Sequence, residues 1–184
     1  MLFSSVTFLY YFFPCVLLFF FLMPRAREKT SARNCVLLIA SLVFYAWGEP
    51  VYLLLMLFQS FSGWGFGLLI ERYRATRLRR VFLVLSLIVG FSGLAYFKYA
   101  GFFADNLNAL LPALSLPALH IALPVGISFY TFQILSYDID LYRGSCGVQR
   151  NYFTFTTYVS LFPQLIAGPI VRYVDVEREL TERA

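Results

Sequence analysis

Long apolar runs separated by short polar breaks dominate the chain, and they lack the strict alternation of half-buried strands. Residues 3–23 form the first run, interrupted only by Pro14; about 20 residues suffice to cross the hydrocarbon core of a bilayer as a helix. Polar residues at 24–29 close it. The second run, 35–47, holds only 13 residues, or roughly 20 Å of helix, so it crosses only with flanking residues reaching to the interface. Gly48-Glu49-Pro50 supplies a tight turn, with Trp47 and Tyr52 as interfacial anchors. A third run covers 51–70 and a fourth 81–97, where Lys98 in an aromatic belt is placed to snorkel. Asp105, Asn106, Asn108, Pro112, Ser115 and Pro117 interrupt 100–119. That pattern predicts a short interfacial helix over 102–111 and a Pro-punctuated connection on the outer face. Two further apolar segments, 120–141 and 151–170, complete the pattern. The expected fold is all-α, a polytopic transmembrane bundle of about five to six membrane segments with the last kinked or re-entrant.

Composition agrees with that reading. Hydrophobic residues make up 60% of the 184 positions and charged residues 14%, against roughly 25% charged in ordinary soluble domains. A soluble chain of this size could not hide so much apolar surface. Aromatics at 20% suit a chain with many water–lipid boundaries. A closed barrel would show short alternating strands instead.

The net charge of +5 raises the question of nucleic acid. The basic residues sit between apolar runs, in two tight groups, where topology signals belong, and no nucleic-acid-binding motif accompanies them. The first group is Arg25, Arg27, Lys29 and Arg33; the second is Arg72, Arg74, Arg77, Arg79 and Arg80. Two crossings separate the groups, so they share a side, while the 48–50 turn on the other side has no Lys or Arg. The positive-inside rule then puts the basic loops in the cytoplasm and the N-terminus outside. Cys15, Cys35 and Cys146 have neither disulfide nor metal spacing. No basic n-region or small-residue cleavage site marks the first run as a signal peptide, so it reads as a retained span. The Ser62-Gly63-Trp64-Gly65-Phe66-Gly67 stretch lacks the strand–turn–helix setting of a phosphate loop. Its small residues are expected to admit a neighbouring helix.

Candidate chemistry lies in the last two runs. Gly126, Tyr130, Gln133, Tyr137 and Asp140 recur at helical spacing and fall on one face. A Gln and an Asp are costly against lipid and belong in a bundle interior or a water-filled cavity. Interhelical hydrogen bonding is the plainer account of them, with Asp140 and Arg143 paired to each other. Thr157, Ser160, Gln164 and Gly168 share a second face. Pro163 is expected to kink or break that helix, and Gly168-Pro169 to interrupt it again. Broken helices at membrane depth are tolerated where they are buried in protein or line a cavity. Tyr130, Gln133, Tyr137, Asp140 and Gln164 are the residues that would line such a cavity, and they become the candidate substrate channel under the family resemblance that follows.

Several of these stretches, taken as an ordered set, resemble the N-terminal half of bacterial membrane-bound O-acyltransferases, in particular the alginate O-acetyltransferase branch. They are MLFSS at 1–5, SLVFYAWGEP at 41–50, YFKY at 96–99, LPVGISFYTFQ at 123–133, IDLYRG at 139–144 and FPQLIAGPI at 162–170. The resemblance implies transfer of an acyl group from a cytoplasmic thioester, acetyl-CoA or another, to a hydroxyl presented outside the bacterial inner membrane. The implied partners are membrane lipid and extracytoplasmic acceptor proteins or polysaccharide, with no bound cofactor or metal and no nucleic acid. Relatives that acylate cellulose or pass on D-alanine, and a non-catalytic scaffold or transport component, are the alternatives. The family's catalytic histidine lies on an apolar stretch of the later half, where it acts as a base. The single histidine here, His120, precedes Ile121-Ala122-Leu123-Pro124 and falls outside that motif. The chain is thus expected to be an N-terminal fragment with no catalytic residue of its own, inactive alone.

Overall fold

The computed structural model describes residues 5–22, 30–110, 122–167 and 171–181, and within them every regular element is a helix. His120, the polar residues at 24–29 and Gly168-Pro169 lie outside the described residues. The first run is a helix as expected, with a π-helical stretch at Phe8–Phe12 leading into α1 (Phe13–Leu22). Pro14 has no N–H to offer the preceding turn, and the wider π winding sits where that bond is missing.

α2 (Thr30–Gly48) is longer than its apolar run suggests, 19 residues against 13, because Thr30 to Asn34 and Gly48 also belong to the helix. α3 (Pro50–Arg72) starts on Pro50 at its first position, where a missing N–H costs nothing. The largest correction concerns α4 (Leu78–Leu110), a single 33-residue helix that absorbs both the fourth run and the separate interfacial helix expected at 102–111. Lys98, Asp105, Asn106 and Asn108 change the solvent the helix faces, not its backbone, and no proline stands in that stretch before Pro112. Asn106 bonds back to the Phe102 carbonyl at 2.7 Å within the helix. α3 and α4 are each long and apolar enough to cross a membrane.

α5 (Ile127–Arg143) occupies the centre and packs against α3, α4, α6, α7 and α8. It is buried nearly all round: Tyr130, Tyr137 and Asp138 are 0% exposed and Thr131 and Ile127 1%. The small-residue stretch of α3 performs as expected. Ile134 Cγ2 lies where a Cβ on Gly63 would stand, and Tyr137 Cε1 is 2.8 Å from the corresponding point on Gly67. Gly65, between them, faces open space.

The last run is two short helices, α6 (Tyr152–Ser160) and α7 (Phe162–Ala167), broken at Leu161. Leu161 takes ψ 109, an extended value, so Pro163 stands in the first turn of a new helix and not inside an old one. Asn151 caps α6, its side chain accepting from the Phe153 and Thr154 amides at 2.9 and 3.4 Å. α6 climbs between α2 and α3, with Ser60 and Thr156 hydroxyls 3.2 Å apart and the Phe162 amide donating to Ser41 at 3.3 Å. Phe162 then joins an aromatic knot with Phe8, Phe12 and Phe44 at centroid distances of 5.6–6.0 Å. α8 (Tyr173–Thr181) returns to the end of α5 from which α6 departed.

Candidate functional site

The candidate face of α5 can be followed from one end to the other. At its start, residues 122–125 are stitched to the turn between α2 and α3. The Val125 amide donates to Glu49 at 2.9 Å, Tyr45 donates to the Val125 carbonyl at 3.1 Å, and Tyr52 to that of Ala122 at 3.2 Å. Gly126 was expected on the helical face; it stands just outside the helix as its N-cap, with φ 79. That left-handed conformation suits glycine. A Cβ there would also meet Leu165 Cγ at 3.1 Å and the Leu165 carbonyl at 3.3 Å, so the absence of a side chain lets α7 sit on the start of α5.

One turn on, Tyr130 lies fully buried beside Tyr45. Gln133, 2% exposed, donates from Nε2 to Gln164 Oε1 at 3.3 Å, which ties the middle of α5 to α7. The Gln133 Oε1 atom has no partner among the described residues, and neither has the buried Ser160 hydroxyl at the break above Gln164. Unpartnered buried polar atoms are uncommon and costly, about 1–3 kcal/mol each.

Toward the end of α5, Tyr137 accepts the Gln149 amide at 2.9 Å, and Gln149 Nε2 donates to Tyr173 at 2.9 Å. Tyr158 donates to the Val171 carbonyl at 2.8 Å. Asp140, 3% exposed, is held by Arg172 through Nε at 3.0 Å and Nη2 at 2.5 Å. This corrects the expected Asp140–Arg143 pair. Arg143 is exposed at the last turn of α5, whereas the Asp140 carboxylate points inward to the returning chain, where the planar fork of Arg172 meets it. The Cys146 thiol, in the loop after α5, is pushed up to about 12 by burial and by the nearby Glu177 and Asp140 carboxylates.

The five candidate residues therefore do lie together, in the order Tyr130, Gln133, Tyr137, Asp140 along α5 with Gln164 opposite Gln133. Gln149 touches both Tyr137 and Tyr173, so the chain between them leaves one end of α5 and comes back to it. In the described structure this face is closed by packed side chains.

A second polar set, off the face that helical spacing picks out, lies on the other side of α5. Asp138 accepts from Ser86 of α4, and Thr131 donates to Gln59 of α3 at 2.9 Å. Asp138 is fully buried and its second oxygen has no partner among the described residues. The available signal was simply a carboxylate two residues from Asp140, which on a helix must face a different neighbour. Among the described residues no three His, Cys, Asp or Glu side chains are placed to hold a metal ion.

Comparison with known proteins covers the chain from end to end. It is 40% identical over 187 aligned residues to the probable alginate O-acetylase AlgI of Pseudomonas aeruginosa, covering 100% of this chain and 35% of that protein. The Azotobacter vinelandii protein of the same name is also 40% identical, with 36% of its length covered. A peptidoglycan O-acetyltransferase of Helicobacter pylori is 28% identical over 207 aligned residues, with 39% covered. The chain thus spans little more than a third of the length of the curated relatives it matches, and corresponds to their N-terminal part. No family profile and no solved structure matches it.

Proposed function

Because the chain belongs to the membrane-bound O-acyltransferase family and matches the N-terminal part of alginate O-acetylases, we propose that it builds part of the route along which an acetyl group moves from a cytoplasmic thioester to an exported polysaccharide. The donor is acetyl-CoA or another acyl thioester, the acceptor a glycan hydroxyl, and the setting the bacterial inner membrane. The names of the relatives point to alginate as the polymer. The observation that carries the reading is the Gln133–Gln164 contact, with an unsatisfied Gln133 oxygen buried between a central helix and a broken one. Polar groups kept at that cost inside an apolar bundle are expected where a polar substrate passes.

The orientation follows the basic loops: the Arg72 to Arg80 group and the Asp140–Arg172 end of α5 face the cytoplasm, and Glu49 faces out. α6 has 9 residues, about 14 Å of helix, α7 carries the chain on to Gly126 at the start of α5, and Tyr173 meets Gln149 again at the other end. The 150–172 segment accordingly enters from the cytoplasmic side and returns to it. The base that activates the acceptor hydroxyl is expected in the part of the relatives beyond the matched region, so residues 1–184 by themselves are expected to transfer no acetyl group.

The test is to place Gln133→Leu and Gln164→Leu in a full-length relative. Gln133→Leu removes the unsatisfied oxygen and retains expression and thermal stability, whereas Gln164→Leu loses some stability because Gln133 Nε2 is left without its acceptor. At equal expression, polysaccharide acetylation falls roughly tenfold or more in both, the size of effect expected for one lost transition-state or positioning contact. Full acetylation by both variants would reduce these residues to structural ones, and turnover by residues 1–184 alone would overturn the division of labour. A scaffold role without acyl transfer predicts that acetylation survives both changes.

A further inference from the structure

At the end of α3, Leu68 and Arg72 share an open groove of about 390 Å³ with Val148 and Arg150 from the loop that follows α5. The two arginines are 78 positions apart in sequence, so their meeting is a product of the fold. Glu71 also lines the groove, but its carboxylate is engaged by Arg74 at 3.7 Å. The side chains of Arg72 and Arg150 are exposed and have no ion-pair, hydrogen-bond or ring partner among the described residues. The loop is not free to carry Arg150 away. Trp64 Nε1 donates to the Gln149 carbonyl at 2.9 Å, Tyr137 takes the Gln149 amide, and the Asn151 amide donates to Gln149 Oε1 at 2.9 Å. Arg150 is thus mounted between two tethered residues and lines one groove with Arg72, Leu68 and Val148.

Basic residues at a membrane-facing loop ordinarily serve orientation alone, and Arg77 and Arg80, exposed beyond the groove, fit that account. Arg72 and Arg150 differ in being held in one cleft and set beside apolar side chains. Guanidinium groups in such a setting match a phosphate monoanion that carries an apolar body. We propose that this groove binds the headgroup of an anionic phospholipid of the cytoplasmic leaflet, its phosphate between Arg72 and Arg150 and its glycerol and upper acyl region over Leu68 and Val148. The leaflet follows from the proposed orientation; the site itself depends on neither that orientation nor acyl transfer.

The test is native mass spectrometry of the 184-residue chain released from bilayers of equal phosphatidylglycerol and phosphatidylcholine, which reads lipid retention whatever the protein's orientation or activity. One phosphatidylglycerol is expected to remain bound. The R72Q/R150Q variant lowers its retention about thirtyfold, R72K/R150K keeps most of it, and R77Q/R80Q leaves it unchanged. Unchanged retention in R72Q/R150Q overturns the site, and an equal loss in R77Q/R80Q replaces it with diffuse attraction to a basic surface. If R72Q/R150Q is misfolded by circular dichroism, R150Q alone is scored by the same criterion. Coenzyme A is added as a separate arm and is expected to displace nothing; displacement of the lipid that vanishes in R72Q/R150Q would give the groove to the thioester donor and overturn the lipid assignment.

Discussion

Arg172 grips Asp140 with two nitrogens of one guanidinium, at 3.0 and 2.5 Å, across 32 positions of sequence. The carboxylate side chain is 4% exposed and the arginine 53%, so the pair lies at a boundary, with its anion inside and its cation half in water. Removal of the arginine leaves a buried charge without a partner, which is the damaging half of breaking such a pair. Arg172→Ala is therefore expected to lower the thermal midpoint by a few degrees, and Asp140→Asn in the same chain to restore most of it. Differential scanning fluorimetry in one detergent compares the three. Equal loss in the single and double variants would show that Arg172 acts through packing and not through Asp140.

The glycines of α3 make a sharper contrast. A Cβ on Gly67 falls 2.8 Å from Tyr137 Cε1, and that ring has nowhere to go: it is fully buried, bonded to the Gln149 amide and packed between Phe155 and Tyr173 at centroid distances of 4.9 and 5.0 Å. Gly67→Ala is expected to cost about 1–3 kcal/mol as overpacking. Gly65 has nothing within 4 Å, so Gly65→Ala is neutral or stabilising by up to about 1 kcal/mol, the gain in helix propensity. Two denaturation curves decide it.

Much of this was open to reading in the sequence because bilayers impose simple lengths and helices a simple period. The α3 run and the small residues of its packing face, the alignment of Tyr130, Gln133, Tyr137 and Asp140, and a break near Pro163 all follow from spacing and residue type. What escaped depends on who the neighbours are. Asp140 prefers Arg172 to Arg143 because the chain folds back, and no local rule carries that information. Asp138 and Thr131 lie off the single polar face that helical spacing picks out, yet α5 is surrounded and they too meet neighbours. Polarity at Asp105, Asn106 and Asn108 resembles a helix end in sequence, yet α4 runs through it because nothing there breaks the backbone.

Cys146 offers a pH-dependent readout. Its thiol is pushed from 9.0 to about 12, first by burial and then by the nearby carboxylates, so folding favours the neutral form. The associated stability is present below the ordinary thiol range and is lost as pH rises from about 9 toward 12. Since the thiolate is the nucleophile, alkylation of Cys146 by iodoacetamide at pH 8 is expected to be orders of magnitude slower than in the urea-unfolded chain. Mass-spectrometric peptide mapping of a variant retaining only this cysteine measures both rates; equal rates would show that the loop leaves the thiol in water.

The return of the chain to its starting end carries the clearest topological consequence. Gln149 bonds to both Tyr137 and Tyr173, which places residues 149 and 173 at one end of α5 although 23 residues of mostly apolar sequence lie between them. A sixth straight span would put them on opposite sides of the bilayer. On a background without native cysteines, Gly147→Cys and Val174→Cys both replace exposed residues flanking the hairpin. Both are expected to react with a membrane-impermeant maleimide from the cytoplasmic face of inverted vesicles, and neither from intact spheroplasts. Val51→Cys, at the opposite end of the bundle beside Glu49, is expected to show the reverse pattern. Labelling of Gly147→Cys and Val174→Cys from opposite faces would mean that the 150–172 segment crosses the membrane, and the hairpin packing of α6, α7 and α8 against α5 would then be wrong for the protein in a bilayer.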